Sequence, residues 1–258
     1  MTGLAVLNNK GGVAKTITSV NLAYALATKK NQKTLIVDMD GQANATSNLG
    51  GIKEGQPTIH DVLFRNIPIK EAIHPTDYKN LYLLPSSDEF LSASAILRTE
   101  EMIPPQMYLK RAIGSALDDF HFIIYDCPPS LDVLTANVLM VTDFAIIPTL
   151  ASDSSVQGIT RVLDAIRKTN LIRYTELKML GVLLTRLKSN HLVTKHNVER
   201  IKEMGVPLFD VNIRDTTRVA QSESMHMPVM AFDAKCTASM DYSSFANELL
   251  TSIAREVG

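Results

Sequence analysis

The segment Asn8-Asn9-Lys10-Gly11-Gly12-Val13-Ala14-Lys15-Thr16 joins a short apolar run, Leu4 to Leu7, to a helical pattern that starts at Thr16. A strand, a Gly-containing loop and a helix N-terminus in this order aim successive backbone N–H groups at one point. The helix dipole adds partial positive charge there, and Lys15 adds a full one. Such a loop suits the β- and γ-phosphates of a nucleotide, and the Thr16 hydroxyl suits Mg²⁺. The common phosphate-loop pattern, G-x-x-x-x-G-K-[ST], has glycine where this chain has Asn9 and Ala14. Lys10, five residues before Lys15, is the unusual addition.

Outward from the loop, short runs rich in aliphatic and β-branched residues recur at Leu4 to Leu7, Thr34 to Val37, Phe122 to Tyr125, Phe144 to Pro148, Leu180 to Leu184 and Val206 to Val211. Helical apolar spacing separates most of them, as in Thr16 to Lys29 and Val156 to Lys168. This alternation predicts an α/β fold, a mostly parallel central sheet with helices on both faces, in a single domain over residues 1–258. Ligands of such sheets sit beyond the carboxyl ends of the strands. Asp38 and Asp40 follow the second run, two residues apart and so on one side of an extended chain. Asp126 ends the run Phe122 to Tyr125 and is followed by Cys127, Pro128 and Pro129. The prolines release the chain from the sheet.

Composition narrows the classes. The 258 residues are 45% hydrophobic and 21% charged, near the globular average. Cys127 and Cys236 could form at most one bridge and lack zinc spacing, which predicts a reducing, cytoplasmic setting. The first residues do not read as a signal peptide, and Asp132, Asn137 and Asp143 interrupt the most apolar long window, Leu131 to Ala151. Net charge is −1, yet Arg161 to Arg218 holds 12 Lys and Arg against 6 Asp and Glu, leaving 14 against 21 elsewhere. A basic segment on an acidic body is one footprint of nucleic-acid binding.

The string Lys10-Gly11-Gly12-x-x-Lys15-Thr16 resembles the deviant Walker A loop, K-G-G-x-x-K-[ST], of the ParA/MinD family of ATPases. The resemblance runs over nearly the whole chain. It implies a P-loop ATPase that uses ATP and Mg²⁺ and hydrolyses ATP slowly. The loop from Lys10 through Gly11, Gly12, Val13, Ala14, Lys15, Thr16 and Ile17 would bind the nucleotide. Lys15 and Asp40 would be catalytic, with Asp40 orienting the attacking water, and Lys10 would reach the partner subunit's nucleotide. Thr16, Asp38 and Asp126 would form the metal side. Thr185, Arg214 and Asp215 fall where the family binds adenine. Two departures carry expectations: the Ala14 methyl tightens the loop, and Gly41, where the family commonly has proline, loosens the turn after Asp40. Gln157 stands where a Glu is frequent, and His226-Met227 replace Gly-Lys.

The same resemblance implies an ATP-dependent homodimer that binds DNA without sequence preference and is stimulated by a ParB-like partner, for plasmid or chromosome partition. No helix-turn-helix pattern precedes the loop, which points to the short ParA type, cytoplasmic and nucleoid-associated when ATP-bound. Arg186, Lys188, Lys195, Arg200, Lys202, Arg214 and Arg218 are the candidate DNA contacts. Two rivals are weighed. A membrane-bound regulator of the MinD kind would end in a basic amphipathic helix, whereas Phe245 to Gly258 has one Arg against two Glu and reads as a packed closing helix. A metabolic ATP-dependent enzyme would need a substrate motif, and none is evident.

Overall fold

The computed structural model describes residues 1–99, 101–187 and 192–257. Seven strands form one sheet: β1 (Thr2–Val6), β2 (Thr34–Asp38), β3 (His74–Pro75), β4 (Leu81–Leu84), β5 (Phe122–Asp126), β6 (Phe144–Thr149) and β7 (Lys178–Leu184). Their spatial order is β3-β4-β2-β5-β1-β6-β7, parallel throughout except for the short edge strand β3. Each central strand divides its residues between two layers, as the period of two requires. Ala5, Leu35, Val37, Ile123 and Tyr125 enter one core, whereas Leu4, Val6, Ile36, Phe122 and Ile124 enter the other. Being apolar on both faces, these runs have no place except the middle of a covered parallel sheet.

The first layer is closed mainly by α3 (Ile59–Phe64), α5 (Ala93–Thr99), α6 (Tyr108–Ile113), α7 (Val133–Leu139) and α8 (Ser155–Asn170). The second is closed by α1 (Lys15–Tyr24), which continues as a π-helical turn over Ala25–Lys29, by α2 (Asn44–Ser47), α11 (Val229–Phe232) and α12 (Thr237–Val257), with α10 (Thr217–Ser224) beside α11, while the short α4 (Ile69–Ala72) adds to the first. The apolar stripe of α12, including Tyr242, Phe245, Leu249 and Ile253, is buried in that layer. No helix among the described residues is long and apolar enough to cross a membrane. One predicted strand is corrected: Val206 to Val211 makes only an isolated bridge, Leu208 with Val182, and lies along the edge of β7. Gly205, at φ +67, turns the chain just before the run, and Pro207 within it brings no N–H to a ladder. Leu81–Leu84, flanked by Asn80 and Pro85, is a strand that periodicity alone missed.

Candidate functional site

The carboxyl ends of β1, β2 and β5 meet beneath the loop between β1 and α1. Asn8 fixes the start of that loop. Its Nδ2 donates to Pro148 O at 2.8 Å and its Oδ1 accepts from Lys10 N at 3.2 Å. Gly12 (φ +73) and Ala14 (φ +62) are both left-handed, so the loop doubles back before Lys15 opens α1. The position of Ala14 thus asks for glycine. Its methyl group strains the backbone, a cost of about 1–2 kcal/mol for an L-residue, which is a different effect from the expected tightening. Thr185, expected at the adenine, is buried at the end of β7, with its hydroxyl 3.1 Å from Val13 O and 3.2 Å from Thr149 O. It supports the loop from behind instead of facing the cleft.

Lys15 is buried, and its Nζ donates to Lys10 O at 2.8 Å, inside the loop. Burial lowers its pKa, while the nearby Asp126 carboxylate raises it. Asp38 and Asp126 are register partners at the ends of β2 and β5, both fully buried. Asp126 Oδ1 accepts from Ser19 Oγ at 2.8 Å, whereas its equally buried Oδ2 has no hydrogen-bond partner. Burial raises its pKa to about 7, with the Asp38 charge adding to the rise and the Ser19 and Thr16 hydroxyls and Lys15 opposing it. An orphaned carboxylate oxygen beside a hydroxyl at a helix start is the donor set a hard divalent cation requires. The residues present therefore fit Mg²⁺. Thr16 and Asp126 are the groups that could hold it.

Asp38 is engaged differently. Oδ2 accepts from Thr46 N and Thr46 Oγ1, both at 2.8 Å, and Oδ1 accepts from Asp40 N at 3.1 Å. Burial raises its pKa to about 6, and these three bonds oppose the rise. Its lone pairs hold the turn, which leaves it an outer place around a cation. Asp40 Oδ1 accepts from Gln42 N at 3.0 Å, at the half-buried rim. Gly41 does not loosen this turn. A Cβ there would lie 2.6 Å from Leu91 N and 2.9 Å from Leu91 Cγ, so the missing side chain is what lets the chain after β4 close over it.

Beside the loop opens a cleft of about 210 Å³, reached by Gly12, Ala14 and Ile17 on one side and by Arg214, Asp215 and Thr216 on the other. Arg186, Glu223 and Tyr242, not singled out from the sequence for this purpose, also line it. Arg214 and Asp215, expected near the adenine, line this cleft opposite the loop, and the Arg214 guanidinium is bound to Asp241 through Nε and Nη2 at 2.6–3.2 Å. The basic cluster is similarly reduced. Arg186 faces Asp215 at 3.6 Å, Arg200 faces Asp153 at 3.9 Å and Arg218 faces Asp233 at 3.2 Å. Lys195 and Lys202, on α9 (Leu192–Glu203), are exposed. Lys188 lies outside the described residues. Ser19, Thr46 and Asp241 were not anticipated. Only Ser19 left a signal, standing one helical turn beyond Lys15 on the same face of α1.

A phosphate loop at the carboxyl edge of a parallel sheet, with two buried carboxylates behind it, defines a P-loop nucleotide-binding protein. Comparison with known proteins agrees. The family model described as an AAA domain matches residues 1–179. The chain is 32% identical over 250 residues to the chromosome partitioning protein ParA of Myxococcus xanthus, covering 96% of this chain and 87% of that one. It is 31% identical to the sporulation initiation inhibitor protein Soj of Bacillus subtilis, covering 95% and 97%. Among solved structures, cobyrinic acid a,c-diamide synthase from Mycobacterium smegmatis, with bound ADP and magnesium, superposes with TM-score 0.82 at 30% identity over 97% and 94% of the two chains. The chain belongs to the ParA/MinD family of P-loop ATPases.

Proposed function

We propose that the protein is an ATP-hydrolysing switch of the ParA partition type. The observation that carries the reading is the buried Lys15 ammonium, held inside the phosphate loop by Lys10 O, together with the partnerless Oδ2 of Asp126 behind it. In this reading Lys15 turns from Lys10 O to the β- and γ-phosphate oxygens of ATP, and the loop N–H groups complete the cradle. Thr16 and Asp126 would hold Mg²⁺, which would supply neutralisation of the phosphate charge. Asp40 orients water on the γ side, and Asp38 keeps the Asp40 turn in place. Arg214, Asp215 and Thr216 border the base. ATP binding joins two protomers with Lys10 at the junction, and a ParB-like partner accelerates hydrolysis.

The ATP-bound dimer holds DNA through its phosphates, with Lys195 and Lys202 as the exposed contacts. Purified protein is tested for DNA co-sedimentation with ATP, ADP or no nucleotide across a salt series. ATP-dependent, sequence-indifferent binding that weakens steeply with salt supports the reading. Turnover of ATP without DNA binding in any nucleotide state rejects it. That outcome would favour a second reading, an ATPase that positions a protein cargo, which the acidic partners of Arg186, Arg200, Arg214 and Arg218 also support.

A further inference from the structure

The N-terminal turn of α8 lies against the phosphate loop, and Gly158 is why it can. A Cβ at Gly158 would stand 3.2 Å from Asn8 Oδ1, 3.2 Å from Asn9 Oδ1 and 3.4 Å from Lys10 Cε. These nearest atoms all belong to the three residues that begin the loop. Glycine inside a helix lowers helix stability by about 1 kcal/mol relative to alanine, so the position gives up local propensity for close approach. Through this gap the Lys10 side chain crosses to α8, and its Nζ donates to Ser154 O, next to the first helical residue, Ser155.

We infer that α8 is a parking site for Lys10 in the nucleotide-free protomer, and that leaving Ser154 O and the Gly158 groove is the step that frees Lys10 to pair with a second protomer. This rests on the ATP-dependent pairing proposed above. The parked state is poised, not locked. Arg161, one turn beyond Gly158 and exposed, repels the Lys10 ammonium, and burial against α8 together with Arg161 lowers the Lys10 pKa. A like charge beside the hydrogen bond offsets part of its gain, so the bond can be exchanged for one to a phosphate oxygen. The half-buried Asn9, whose Oδ1 is buried without a hydrogen-bond partner, faces the same gap.

Two substitutions move the latch in opposite directions. Arg161→Glu places an opposite charge beside the parked ammonium at an exposed site, and Gly158→Ala fills the groove under the Lys10 stem. The ε-ammonium ¹H–¹⁵N signal of Lys10 in nucleotide-free protein reports parking directly, because only a hydrogen-bonded ammonium exchanges slowly enough to be seen. The ATP concentration that half-saturates dimerisation, followed by light scattering, reports release. The expected results are a visible Lys10 signal in the parental protein, lost in Gly158→Ala. In Arg161→Glu the signal strengthens and half-saturation rises several-fold. A Lys10 ammonium that exchanges as fast as those of Lys195 and Lys202, in a protein that does dimerise with ATP, overturns the latch alone. A protected Lys10 in a protein that never dimerises overturns the pairing reading and, with it, the role given to the latch.

Discussion

Asp38 and Asp126 face each other across the β2–β5 ladder as the last register pair, both carboxyls buried and both held above the usual carboxylate range. An Asp whose proton is bound more tightly folded than unfolded weakens folding as the pH rises from its unfolded value, near about 4, up to the folded values, here about 6 and about 7. The nucleotide-free protein is therefore expected to lose several kcal/mol of stability between about pH 4, near the unfolded value, and about pH 7. Asp126→Asn should flatten that dependence, raise the melting temperature of the nucleotide-free protein at high pH and abolish stabilisation by Mg-ATP. Calorimetry across pH, with and without Mg-ATP, checks all three. A parental melting temperature that rises through this range contradicts the assignment.

Ala14 is held in a left-handed backbone at φ +62 that glycine would adopt freely. Ala14→Gly is expected to stabilise the nucleotide-free protein by roughly 0.5–1 kcal/mol, the residual after glycine's greater unfolded-state entropy. Thermal unfolding of the two proteins decides the sign.

At Gly41 the direction reverses. Gly41→Ala would set a methyl group against Leu91 N, a backbone atom that cannot rotate away. A loss of roughly 1–3 kcal/mol is expected, as in other overpacked sites. Because Asp40 shares this turn, steady-state ATP hydrolysis should fall while nucleotide affinity, measured by a fluorescent ATP analogue, stays close to parental.

Arg214 and the α9 lysines separate structure from DNA binding. Removing one lysine–phosphate interaction should reduce the slope of log affinity against log salt by about 0.9. Lys195→Ala and Lys202→Ala are expected to flatten the slope with unchanged melting temperature. Arg214→Ala should leave the slope alone and lower the melting temperature, because the buried Asp241 loses its guanidinium. A flattened slope in Arg214→Ala would return that residue to the DNA surface.

What the sequence settled by itself was whatever depends on local order: a strand, a loop and a helix at residues 2–24, and carboxylates at strand ends. Aliphatic runs alternating with helical patterns point to covered parallel strands, so most of the layer architecture followed from the pattern, although Val206 to Val211 proved no strand and Leu81–Leu84 escaped it. Proximity across the chain was decided by the tertiary structure. Asp38 and Asp126 become register partners because β5 is inserted between β1 and β2, an order that no local pattern encodes. The direction of Thr185, the closeness of Leu91 to Gly41 and the acidic partners of Arg214 and Arg218 are likewise properties of packing. The phosphate loop was legible because its chemistry is contiguous in sequence. The fate of each charge was not, because a charge is free or neutralised according to residues that only the fold brings within a few ångströms.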